Sequence, residues 1–146
     1  MNSILVKQIN TTSPEYQQVW ELRDEVLRKP LGLSLKNNNL SWDKDAMIFI
    51  AVQNEQVIGC VLLTQIDSHT GKLRAMAVAE NWQGKGIGRL LVNALEKAAP
   101  EVGYNKIVLH ARKVAVDFYK KLAYTTTSDE FTEVGIPHFV MEKELK

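Results

Sequence analysis

Residues 72–88 read Lys72-Leu73-Arg74-Ala75-Met76-Ala77-Val78-Ala79-Glu80-Asn81-Trp82-Gln83-Gly84-Lys85-Gly86-Ile87-Gly88, and this stretch decides the fold. Lys72–Val78 has the composition of a strand and Ala79–Gly84 that of a loop. From Ile87 to Ala99 the apolar residues Ile87, Leu90, Leu91, Ala94, Leu95 and Ala98 fall on one face of a helix. Pro100 and Gly103 stop it. The glycines between strand and helix permit a tight turn and a close approach of backbone to a ligand. The first amides of the helix have no internal partner and carry the positive end of its dipole, which suits a diphosphate. Without a ligand the same residues make a tight strand-to-helix turn. A dinucleotide fingerprint fails, because the sixth position counted from Gly84 is Arg89 and the next strand ends at Arg112 instead of an acid. The G-x-x-x-x-G-K-[ST] phosphate loop is absent. What remains is Q-x-x-G-x-G, at Gln83, Gly86 and Gly88.

Working outward, Ile4–Ile9 reads as a first strand. Ser13-Pro14 reads as a serine N-cap followed by proline at the first helical position, opening a helix to about Arg28. The apolar stripe of that helix is Tyr16, Val19, Trp20, Val26 and Leu27, interrupted by Arg23. Lys29–Asp45 is a long polar connection with Asn37-Asn38-Asn39 in its middle. Met47–Gln53 and Val57–Ile66 are strands joined at Asn54-Glu55, a hairpin signal. Lys106–Ala111 is a strand, Val114–Leu122 a helix, and Tyr124–Thr126 and His138–Glu144 are two last strands around a long loop. The order β α β β β α β α β β predicts a mixed α/β sheet with at least one right-handed crossover.

The totals are ordinary. At 146 residues the chain predicts one domain, spanning 1–146. Lys plus Arg is 18 and Asp plus Glu is 17, a net charge of +1, which argues against a nucleic-acid partner. No apolar run approaches a membrane span, and Met1–Gln8 lacks a signal-peptide core, so the expectation is a soluble, cytoplasmic protein. The one cysteine, Cys60, excludes a disulfide framework and reads as a small buried hydrophobe. No His/Cys/carboxylate spacing suggests a metal site.

The Q-x-x-G-x-G turn, together with Ala115-Val116-Asp117-Phe118-Tyr119 on the next helix, resembles the GNAT family of N-acetyltransferases, whose signatures are Q/R-x-x-G-x-G/A and A-x-x-F-Y. The order of elements matches across nearly the whole chain. Ala123-Tyr124 stands where the family commonly has Gly-Phe, and Arg112 where many members carry Asn. The resemblance implies the GNAT fold: an α/β, three-layer arrangement with a mixed, mostly antiparallel sheet and splayed central parallel strands flanked by helices. It implies acetyl-CoA as co-substrate. The backbone of Met76, Ala77 and Val78 would pair with the pantetheine arm. Gln83 and the amides of Gly84, Lys85, Gly86, Ile87, Gly88 and Arg89 would form the pyrophosphate site. Tyr119 would stand near the sulfur as general acid to the leaving thiolate. A dimer is expected on the resemblance alone.

Three arginines stand where apolar residues belong: Arg23 in its helix stripe, Arg74 inside a strand, and Arg112 where a buried strand meets its helix. A buried arginine needs an anion. Internal carboxylates such as Glu21, Asp24 or Asp117 could supply it. So could a ligand, since guanidinium forks bind carboxylate or phosphate in a bidentate manner. Arg23 to Arg28, Leu73–Ala77, Ala111-Arg112, Phe118–Leu122 and Pro137-His138 resemble the glyphosate N-acetyltransferase type, and Gly135–His138 resembles the ElaA-like acetyltransferases. In the former, arginines matching Arg23, Arg74 and Arg112 hold the substrate's anionic groups, and a histidine matching His138 is the general base. His69 and His110 read as structural.

The expected chemistry is direct acetyl transfer to the amine of a small anionic acceptor. His138 takes the amine proton, a strand amide near Met76 holds the oxyanion, and Tyr119 protonates the sulfur. No covalent intermediate is expected, Cys60 lying on a distant strand. The alternatives are a peptide or protein acceptor and a non-catalytic coenzyme A-binding regulatory module.

Overall fold

The computed structural model describes residues 3–34 and 41–145; Asn37-Asn38-Asn39 of the long connection lie outside them. The strands are β1 (Leu5–Ile9), β2 (Met47–Gln53), β3 (Gln56–Gln65), β4 (Thr70–Val78), β5 (Lys106–Arg112), β6 (Thr125–Thr126), β7 (Phe131–Glu133) and β8 (Ile136–Glu144). The helices are α1 (Tyr16–Arg23), α2 (Ile87–Ala98) and α3 (Val116–Lys121). One sheet runs β1-β2-β3-β4-β5-β8-β6, with β7 also paired to β8. Only β4 and β5 are parallel among its pairs; the rest are antiparallel.

The sheet is the middle of three layers. α2 and α3 pack on one face, where Ile87, Leu91, Leu95 and Val116 meet Phe49, Val61, Leu63, Leu73 and Leu109. α1 packs on the other, where Val19 and Leu22 meet Ile48, Ile50, Cys60 and Leu62. Burial on both faces explains why β3 is an unbroken apolar run instead of an alternating one. The expected hairpin forms at Asn54-Glu55, both residues having positive φ (51° and 65°), a type I′ arrangement that matches strand twist.

Four local expectations change. Ser13 does not cap α1: its hydroxyl accepts from the Asn10 amide, and the helix starts at Tyr16. The α-helical turn ends at Arg23, and Asp24–Arg28 is a π-helical turn in which the Lys29 amide donates to the Asp24 carbonyl. The long loop before the last strand contains a further strand, β7, joined to β8 by a two-residue turn at Val134-Gly135. α3 is shorter than expected and ends at Lys121, with Ala123 in the left-handed region at φ 75°.

The feature that makes a site is the parting of β4 from β5. Their parallel pairing runs from Thr70↔Lys106 to Leu73↔Leu109 and goes no further. On its other edge β4 slips against β3: Leu62 faces Arg74 and Cys60 faces Ala77, so two residues of β4 stand opposite Val61. Ala75, in that bulge, has φ 54°. A bulge bends the strand and increases local twist, so β4 leaves β5 just where Arg74, Ala75 and Met76 lie.

Candidate active site

A cleft of about 400 Å³ opens at this parting. Its lining includes Arg23, Arg74, Arg112, Met76, Tyr119 and His138, six residues singled out from the sequence and drawn from five elements. Ala77, Val78 and the turn from Gln83 to Arg89 are not in its wall; they continue along β4 and into the N-terminus of α2.

That turn has two kinds of glycine. Gly84 and Gly86 adopt φ 76° and 85°, and a Cβ on either would meet nothing within 4 Å, so they are there for backbone conformation and leave open space beside them. Gly88 is a packing glycine, because a Cβ there would come within 2.9 Å of Phe118 Cζ. Gly86 is the helix N-cap and no side chain caps the first amides of α2, so they face outward as a diphosphate site requires. The Gln83 side chain is committed to the loop, donating to the Val78 carbonyl at 3.0 Å. Lys85 sits over the Trp82 ring, 5.4 Å from its centroid.

Tyr119 is buried, with its ring edge-on to Phe118 and Tyr124. Burial pushes its phenol well above the ordinary range, so the oxygen carries its proton at neutral pH. Cys60 is not on a distant strand as expected: β3 neighbours β4, and the Cys60 thiol lies 3.5 Å from the Ala75 carbonyl. Burial pushes that thiol up to about 12, so it is a structural hydrophobe and no nucleophile.

The arginines divide. Arg23 is 5% exposed and its Nη1 binds Asp43 Oδ2 at 2.7 Å. Its partner is thus Asp43, not Glu21, Asp24 or Asp117. Tyr16 donates its hydroxyl to the same carboxylate oxygen. Arg74 donates from Nε to Thr64 Oγ1 at 2.9 Å, and Arg112 from Nη2 to the Leu27 carbonyl at 3.0 Å. Both are half-buried, and burial lowers both guanidinium pKa values.

Two further cations line the cleft, and neither was singled out from the sequence. Arg28, at the end of the π-helical turn, donates to the same Leu27 carbonyl at 3.2 Å. Burial lowers its pKa first, and the charges of Arg112 and Arg23 lower it further. Lys72 is lowered by burial and by Arg74. Arg28 stands in a helix's last turn before a proline and Lys72 at a strand's polar start, positions where a basic residue is unremarkable. His110 also lines the cleft, its Nδ1 2.9 Å from Glu133 Oε1. Among the described residues, Glu133 is the one carboxylate in the lining. His138 is 3% exposed, opposite Arg112 on β5 and Phe131 on β7, with Nδ1 3.0 Å from the Ile136 carbonyl.

Comparison with known proteins places the chain in a family. The sequence profile of the acetyltransferase (GNAT) domain matches residues 11–145. A Bacillus subtilis (strain 168) protein assigned by name to the acetyltransferases is 31% identical over 142 residues, 95% of each chain. The uncharacterized N-acetyltransferase YjcF of the same organism is 29% identical over 131 residues, 89% of this chain and 93% of its own. Among solved structures, Escherichia coli ElaA superposes with a TM-score of 0.84 at 17% identity, covering 97% of this chain and 100% of ElaA. A GNAT acetyltransferase from Elizabethkingia anophelis with acetyl-CoA bound superposes with a TM-score of 0.72 at 21% identity, covering 97% and 98%. The chain belongs to the GNAT acetyltransferase family: it is an N-acetyltransferase, and acetyl-CoA is the family's acetyl donor. No helix among the described residues is long and apolar enough to cross a membrane.

Proposed function

We propose that this chain acetylates the primary or secondary amine of a small acceptor carrying a carboxylate or phosphonate, by direct attack of the amine on acetyl-CoA. The observation that carries this reading is the charge of the cleft. Arg28, Lys72, Arg74 and Arg112 line it beside Tyr119 and His138, and among the described residues Glu133 is the carboxylate that faces them. Arg112 donates to the neutral Leu27 carbonyl, and an incoming anion would offer it a stronger, charge-assisted partner.

Acetyl-CoA supplies the activated acyl group. The open amides at the start of α2 support a diphosphate role for the segment from Gly84 to Arg89. The β4 edge at Met76–Val78 no longer pairs with β5, and only its Val78 carbonyl is taken by Gln83 among the described contacts, which supports a role in meeting the pantetheine arm and the developing oxyanion. In this reading His138 accepts the amine proton. Nδ1 must carry hydrogen to bond the Ile136 carbonyl, so Nε2 is the basic nitrogen. Tyr119, kept protonated by burial, gives its proton to the departing thiolate.

The test is thiol release from acetyl-CoA with a panel of amino acids, aminophosphonates and peptides. The expected result is turnover with the small anionic amines. Arg74→Ala and Arg112→Ala should each raise the acceptor KM about tenfold or more, the acetyl-CoA KM staying near constant. Tyr119→Phe should lower kcat by roughly 100-fold, with acetyl-CoA affinity unchanged. Turnover with peptides alone would replace the small-anion acceptor, and tight acetyl-CoA binding without release for any amine would mark a regulatory module.

A further inference from the structure

We propose that Glu133 is the charge partner of His138, a positioning residue held in place by His110 and Phe131 so that His138 can accept a proton inside a cationic cleft. The inference rests on the reading of His138 as the base. It starts from a conflict in the charges around that ring. Lys72 and Arg74 approach from β4, His110 and Arg112 from β5, Arg23 from α1, Arg28 from the π-helical turn and Tyr119 from α3. Arg23 is neutralised by Asp43. Lys72 and Arg112 disfavour a further positive charge beside them, and an anion in the same wall offsets that. Among the described residues the lining offers Glu133.

Its geometry fits that task. With Nδ1 of His138 fixed on the Ile136 carbonyl, Nε2 points toward Glu133, whose Oε2 is 3.7 Å away. The other carboxylate oxygen is 2.9 Å from His110 Nδ1. One carboxylate thus bridges two imidazoles. Phe131, two residues back on the same face of β7, meets the same pair: its ring is edge-on to His110 at 5.2 Å and tilted over His138 at 5.9 Å. The three-residue strand contributes both side chains of one face to the two histidines, Glu133 staying 44% exposed.

The turn that aims this strand is strained. Val134 has φ 46° in the two-residue connection to β8, a conformation a β-branched residue adopts only under constraint from its surroundings. Burial acts to raise the Glu133 carboxyl, but the His110 hydrogen bond and the charges of His110, His138 and Lys72 outweigh it and lower it from its ordinary value. Glu133 is therefore an anion throughout the pH range in which an imidazole titrates.

The decisive measurement is the ring titration of His138 by heteronuclear NMR, in the parent chain and in Glu133→Gln, which keeps the bond to His110 and removes the charge. The midpoint should fall by about one pH unit, the scale of a carboxylate at this distance in a partly solvated site. The acidic limb of kcat/KM should move to lower pH with it, and the plateau kcat should drop. The KM for an anionic acceptor should hold or fall, because a like charge has left its site. His110→Gln should shift the midpoint the same way by a smaller amount. A His138 midpoint within about 0.2 of the parent in Glu133→Gln would overturn the inference, whatever the kinetics do. The base reading fails separately, if the acidic limb survives in His138→Ala.

Discussion

Arg23 and Asp43 are 5% and 2% exposed, and the bond between them leaves Arg23 Nε and Asp43 Oδ1 with no hydrogen-bond partner among the described residues. A buried ion pair adds little net stability while both members are present. Removing one leaves an uncompensated charge at a cost of about 3–5 kcal/mol. Asp43 also accepts from Tyr16, whose phenol is pushed up to about 12 by burial and by that bond, so its loss strands two donors from α1. Asp43→Ala should therefore lower the thermal midpoint by about 10 °C or more, as read by calorimetry. A midpoint within about 2 °C of the parent would refute the structural assignment and return Arg23 to the acceptor site. The misplacement of Arg23 was legible in the sequence because an apolar stripe has a period that a charge visibly breaks. Its partner was not, since Asp43 lies in a polar stretch where one acid looks like another. The same asymmetry applies to the rest of the site. Tyr119 and His138 were found through motifs, whereas Arg28, Lys72 and Glu133 sit where charged residues are commonplace, and only the fold shows that they face one cleft.

At the scale of elements, α3 ends in a way its sequence does not favour. The amides of Ala123 and Tyr124 bond back to the carbonyls of Lys120 and Tyr119, and Ala123 takes φ 75° to make this possible. The left-handed region costs an alanine about 1–2 kcal/mol, while glycine enters it freely at a smaller entropic cost. Ala123→Gly should accordingly raise the thermal midpoint by about 2–4 °C without altering kcat, because the residue lies outside the cleft lining. A lower midpoint would mean that the Ala123 methyl contributes packing that outweighs the strain. The positions of β2, β3, β4, β5 and α2 could be read from apolar period because each is long and packed on both or one full face. The π-helical turn could not, since it shifts the period within five residues. β7 could not, since three residues between polar neighbours carry no alternation to recognise. These two unreadable elements supply Arg28 and Glu133, which is why the cleft's charge balance was also hidden.

Over the whole molecule the formal charge is +1, yet the field is uneven. Lys7–Glu15, Lys106–Glu142, Lys113–Glu130 and Lys143–Glu96 are paired away from the cleft lining. Among the described residues the lining holds Arg28, Lys72, Arg74 and Arg112, with Glu133 as its carboxylate. A concave, partly desolvated wall of one sign concentrates field lines and raises the local concentration of an oppositely charged substrate. Such steering acts over distances comparable with the Debye length, which shrinks from about 30 Å at 0.01 M salt to about 8 Å at 0.15 M. The measurable consequence is a salt dependence set by the acceptor's charge. For an amine bearing a carboxylate or phosphonate, kcat/KM should fall several-fold between about 10 and 150 mM salt. For the matching ester, which keeps the amine and loses the anion, it should stay flat or rise slightly. Glu133→Gln should steepen the first dependence, and Arg112→Ala should flatten it. Equal slopes for acid and ester would show that the arginines serve the fold and not the acceptor, because an anion bound by this cleft cannot escape the screening of the charges that bind it.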